Sequence, residues 1–191
     1  MESKHNFIGS YLDKSPKERI YHLLDHYRDF DQYRDNYKDT VINLMVAMSE
    51  YNNRSKREDL GIRVQTSKGT SDITAAKAIE RVALEECFEQ MRVTKELFPD
   101  PDELGLISTA VYEWDLMGKE FDILAGFINL MRPDERNLFL PYIRREKRVA
   151  EIADELRLEW ESANKRVYRI RKALLENVLP WFNEYKITAP A

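Results

Sequence analysis

His22 and His26 stand four residues apart, a spacing that puts two imidazoles on one face of a helix, where both could meet one metal ion. The stretch between them, Leu23-Leu24-Asp25, carries no glutamate in the place where the HExxH pattern holds its general base, so the pair reads as two surface histidines. Cys87 is the only cysteine, which leaves no intramolecular disulfide and no cysteine-based zinc site within one chain. Acidic residues are abundant, but none forms a pair with a nearby nucleophile. There is no glycine-rich phosphate loop and no GxSxG elbow. The expectation is therefore a protein without a catalytic centre, a metal or a cofactor, and not an enzyme.

The chemistry that stands out is cationic. Between Arg132 and Lys172 lie 12 Lys and Arg against 8 Asp and Glu, a local charge of +4 in a chain whose net charge is −4, so the remainder carries −8. Clustered guanidinium and ammonium groups bind phosphate oxygens and the guanine edge of the major groove. Inside this stretch Val149, Ile152, Ala153 and Leu156 recur at the steps of one helical face. Ala153 is small, as a close helix crossing requires. Leu158 follows after one residue, and a second helix from about 161 sets Ala163, Val167, Ile170 and Leu174 on one face. The pattern is helix, tight turn, helix.

At about 100° per residue, Glu161, Lys165, Tyr168, Arg169 and Lys172 fall opposite that apolar face, with Arg166 and Arg171 on its flanks. Ser162 and Asn164 add short polar groups. The candidate DNA-binding set is Glu161, Ser162, Asn164, Lys165, Arg166, Tyr168, Arg169 and Lys172, the earliest nearest the bases and the later arginines nearest the backbone. The competing interpretation is an ordinary helical bundle whose charges are merely solvated.

The elements that must position these residues are helical throughout. Hydrophobic residues make up 43% of 191 and charged residues 34%, with only 6 Gly and 7 Pro to interrupt regular structure. Ser15-Pro16-Lys17-Glu18 is a capping box with proline at the first helical position. From it Ile20, Leu23, Tyr27, Phe30, Tyr33, Tyr37, Val41, Leu44, Met48 and Tyr51 follow at steps of three or four, one apolar stripe along a long helix. Such a stripe suits either intramolecular packing or a homo-oligomer seam. The polar, glycine-bearing run 52–70 reads as a connecting loop. Ser71 or Asp72 can cap a second helix reaching about Leu97, its apolar face carrying Ala76, Ile79, Ala83, Phe88 and Met91. Asp100-Pro101-Asp102-Glu103 opens a third through Leu130, with Gly105 and Gly118 as its weak points, and Pro133 opens a fourth. No apolar run is long enough to span a membrane, and the first ten residues lack a signal-peptide core. The expectation is an all-α, cytoplasmic protein without a membrane partner: long N-terminal amphipathic helices over 1–131, serving assembly or partner contact, then a DNA-binding helix-turn-helix over 132–191.

The residues Pro133 to Arg136, Glu151-Ile152-Ala153 with Leu156 and Leu158, and the run from Lys165 to Leu174 resemble the promoter-binding region 4 of sigma factors. The likeness covers about the last third of the chain. Arg157 departs from it, standing where that family usually has the glycine of a positive-φ turn, so a less tight turn is expected here. No counterpart of sigma region 2 precedes it. The Tyr-rich N-terminal helix, the middle segment from Gly61 to Ile79 and the C-terminal motif together resemble phage late-gene regulators of the RinA/ArpU type. That resemblance implies a phage or prophage transcriptional activator that binds double-stranded DNA and acts with RNA polymerase. The alternative from another class is a phage DNA-packaging component such as a small terminase subunit, and a third is a protein-binding helical adaptor.

Overall fold

The computed structural model describes residues 10–59 and 73–184, which form seven α-helices and no strand. Helix α1, Pro16–Asp25, starts as its capping box dictates: Ser15 N–H donates to Glu18 Oε2 at 2.8 Å, and the Ser15 hydroxyl accepts from Glu18 N–H. The single long N-terminal helix does not form. The chain leaves α1 through turns at 26–29, and α2, Phe30–Asp59, begins afresh. The break lets neighbouring aromatics converge on one ring: Phe30 stacks flat on Phe121 at 3.8 Å between centroids, and Tyr27 meets the same ring at 5.2 Å.

Helix α2 continues to Asp59, so the expected loop is helical in its first part, and its remainder falls outside the described residues. Its stretch Asn52–Asp59 is polar but holds neither glycine nor proline, and Arg, Lys and Glu sustain a helix without an apolar period. Ser71 and Asp72 also lie outside the described residues. Helix α3, Ile73–Glu89, stops short of Leu97, and much of its expected apolar face is open: Ile79 is 71% and Met91 51% exposed, whereas Phe88 is buried.

Helix α4, Pro101–Asn129, is unbroken despite its glycines. Asp100 Oδ1 caps it, accepting from Asp102 N–H at 2.8 Å. Gly118 lets the Arg34 guanidinium lie against the helix backbone, since a Cβ there would come within 2.7 Å of it. Then follow α5, Pro133–Ile143, α6, Val149–Glu155, and α7, Trp160–Glu184, which runs on through Pro180.

Two compact units result, and α2 and α4 each lend residues to both. One comprises 35–114 among the described residues. Its α2 and α3 segments run antiparallel, with Lys38 on Glu89 at 2.6 Å at one end and Glu50 on Lys77 at 2.7 Å at the other. Beneath these surface pairs Val41, Ile42, Met45, Leu84, Phe88, Phe98, Ile107 and Val111 form the core, each worth ~1.5–3 kcal/mol on burial. Tyr37 donates its hydroxyl to Glu113, both buried there.

The other unit gathers residues 10–34 and 115–184, with α7 packed against α1, α5 and α6. A fully buried carboxylate lies within it. Glu120 accepts from the Tyr11 hydroxyl at 2.5 Å and from Arg19 Nε and Nη2 at 3.0 and 2.9 Å, while Arg19 Nη2 also donates to the Phe182 carbonyl at 3.1 Å. One charged pair thereby ties α1, α4 and the end of α7.

Candidate nucleic-acid interface

The geometry of the basic stretch begins with how α6 is started and stopped. Glu151 Oε2 reaches back to accept from Arg148 N–H at 2.7 Å, so the carboxylate caps the first turn although residue 148 has no capping oxygen. At the other end Leu158 N–H donates to the Ala153 carbonyl at 2.8 Å and Arg157 N–H to Asp154 at 3.2 Å, the paired bonds of a Schellman cap. Arg157 takes φ of 53°, so the tight left-handed turn is kept. The expected loosening does not occur: both backbone bonds hold the arginine where glycine would sit without strain. The same cap closes α3 at Met91 and α5 at Arg145, each also at φ 53° and each bonded in the same pairwise pattern.

After this turn, Leu158 and Glu159 lead straight into α7. Ile152 and Ala153 of α6 and Ala163, Val167, Ile170 and Leu174 of α7 are all buried, as their spacing dictates. Val149 is half-buried, and Leu156, expected on the same face, is 39% exposed because it is the C-cap where α6 ends. The two alanines are at most 1% exposed, which is the close helix approach their size allows. Turned away from this core, Glu161, Lys165, Arg166, Tyr168, Arg169 and Lys172 are all exposed, Tyr168 to 70%. Ser162 and Asn164 are half-buried on the flanks and present less surface than the sequence suggested. Arg171 lies off the face altogether, its guanidinium 4.7 Å from the Tyr21 ring centre.

The internal partners of the face are weak. Lys165 lies 3.5 Å from Glu161 and Lys172 3.9 Å from Glu176, each pair mostly solvated, so neither lysine is withdrawn from an incoming anion. Arg166 and Arg169 make no hydrogen bond or ion pair among the described residues. Two further residues belong to this surface that sequence reasoning missed. Trp160, the first residue of α7, is 58% exposed beside Glu161, signalled only by a large aromatic directly after the turn. Arg132 precedes α5 and lines a groove together with Arg166 and Arg169, a meeting no local pattern announces.

The two histidines are not simple surface groups. His22 Nε2 is 3.2 Å from the Tyr33 hydroxyl, and the His26 ring stacks on Tyr33 at 4.3 Å, both imidazoles half-buried in one aromatic cluster. Burial, then the neighbouring His26 and Lys14 charges, lower the His22 pKa to about 4. Among the described residues no group of three or more His, Cys, Asp and Glu is arranged to hold a metal ion, and no helix is long and apolar enough to cross a membrane. Trp181 is half exposed beside Phe127, whereas Phe182 is buried. Comparison of the chain with protein-family models, with curated proteins and with solved structures finds no match.

Proposed function

We propose that this chain is a sequence-specific, double-stranded DNA-binding transcriptional regulator, of the phage or prophage kind that its sequence resembles, and that it acts by binding rather than catalysis. The observation that carries the reading is the outer face of α7. Over 161–172 it offers two lysines, two arginines and a tyrosine to solvent, on a helix anchored from behind by a buried apolar face and a short left-handed turn. A helix with its side chains is about 10–12 Å across and the major groove about 12 Å wide, so such a face can be inserted without remodelling either partner.

In that pose Lys165 donates to guanine O6 and N7, Glu161 accepts from cytosine N4, and Tyr168 supplies apolar contact. Lys172, Arg166 and Arg169 reach the flanking phosphates. Burial of Ala163 and Val167 fixes the roll of α7 about its axis, and with it which side chains face outward. RNA polymerase is the further partner of this proposal, taken from the resemblance to phage late-gene regulators.

The test is selection of bound fragments from a genomic DNA library by the full chain, followed by footprinting and transcription with and without polymerase. The proposal expects a short protected duplex and a change in transcript level. Recovery of unrelated fragments with no common protected site would contradict it.

A further inference from the structure

Beside the outward face of α7, the start of α5 and the middle of α7 enclose a groove of about 370 Å³. Three guanidinium groups line it: Arg132, the N-cap residue of α5, and Arg166 and Arg169 of α7. Its apolar floor includes Leu138 and Ile170, both buried. Arg132 is held in place by Glu135 at 2.8 Å and approached by Asp134 at 3.8 Å. The two arginines of α7 have no such partner among the described residues. Exposed guanidinium groups without an internal partner are open to an incoming anion. Planar donors matched to paired oxygens select phosphate or carboxylate.

Charge decides among anions. With three arginines and two carboxylates the lining carries a formal +1. That balances one phosphodiester, which bears a single negative charge, better than a free phosphate monoanion–dianion mixture. We infer that this groove is a phosphate clamp: Arg166 and Arg169 grip one backbone phosphodiester of bound DNA while Arg132, from a different helix, closes over it. The inference rests on the DNA-binding reading above and adds to it a second helix, α5, as part of the interface. It also divides labour on α7, with Lys165 and Tyr168 serving sequence and the Arg166 flank serving position.

The experiment uses the full chain and the variants Arg132→Gln and Arg166→Gln, both at exposed positions, with helicity checked by circular dichroism. Fluorescence anisotropy is recorded on the selected duplex and on an unrelated duplex of equal length, across a salt series. The clamp predicts a loss of roughly tenfold for Arg166→Gln, equal on both duplexes, with the slope of log K against log salt reduced by about 0.9. Arg132→Gln should show the same pattern in smaller measure. Unchanged affinity and slope in both variants would overturn the clamp, and a loss confined to the selected duplex would do so by making Arg166 a base reader. Titration of inorganic phosphate separates the sources: thermal stabilisation by phosphate that Arg166→Gln abolishes, with DNA affinity intact, would assign the groove to a free anion instead. A wild-type chain that binds no duplex removes the DNA reading itself, an outcome distinct from all of these.

Discussion

Removing the buried carboxylate of Glu120 should cost more stability than almost any other single change in the unit that carries α7. The magnitude follows from what the group holds. Its side chain is wholly buried and accepts from Tyr11 and from two nitrogens of Arg19, itself only 7% exposed. Burial pushes the Glu120 pKa up, with the Tyr11 and Arg19 hydrogen bonds opposing that shift. In Glu120→Ala the guanidinium keeps the carbonyls of Lys14 and Phe182 as hydrogen-bond acceptors, but the buried cation loses its counter-charge. Breaking a buried pair from one side costs about 3–5 kcal/mol, a large part of the ~5–15 kcal/mol that holds a typical domain together. Replacing both partners with apolar groups, Arg19→Met with Glu120→Leu, should recover most of that loss, because no unpaired charge is left behind. Urea unfolding monitored by circular dichroism measures the cycle, with an expected coupling of at least about 2 kcal/mol. A cost below about 1 kcal/mol for Glu120→Ala, or strict additivity of the two single changes, would refute the reasoning.

Arg157→Gly should stabilise the chain. Relief of a left-handed non-glycine residue contributes ~1–2 kcal/mol, glycine's greater freedom in the unfolded chain takes back ~0.5–1, and the remainder raises Tm by roughly 1–4 °C; a lower Tm would contradict the cap geometry. His22 supplies a pH dependence. Its folded pKa of about 4 lies below its ordinary 6.5, so the unfolded chain binds the extra proton. Stability from the neutral ring is complete above pH 6.5 and falls as pH drops toward 4, by about 1 kcal/mol once solvent access to the half-buried ring is allowed for. His22→Gln should flatten that part of the pH profile in urea unfolding, and an unchanged slope would count against it.

What could be read in the sequence were features with a local cause. The caps at Ser15 and Asp100 and the proline openings of α1, α4 and α5 each act within four residues, and the structure uses all of them. The apolar spacing of α7 was equally legible, and with it the exposed face from Glu161 to Lys172; that of α6 was legible at Ile152 and Ala153 but not at Leu156, which lies at the C-cap. The break at 26–29 was hidden because Tyr27 and Phe30 keep helical spacing across it, both being drawn to Phe121, a residue distant in the chain. The helical start of the 52–70 segment was hidden for the opposite reason, since polar helix formers leave no period to read. Helix ends at Met91, Arg145 and Arg157 were obscured by the absence of glycine at three left-handed caps. Arg132 was missed because only the packing of α5 on α7 brings it to Arg166.

DNA binding by the outer face of α7 is measured by the affinity of Lys165→Ala/Arg169→Ala for the selected duplex, by anisotropy in moderate salt alongside the unaltered chain. Both side chains are exposed and contribute nothing to the core, so helicity and unfolding midpoint should be unchanged. The expected loss is well over tenfold, about 1.4 kcal/mol or more. Equal affinity of the two proteins would contradict it and take the outer face of α7 out of the DNA interface.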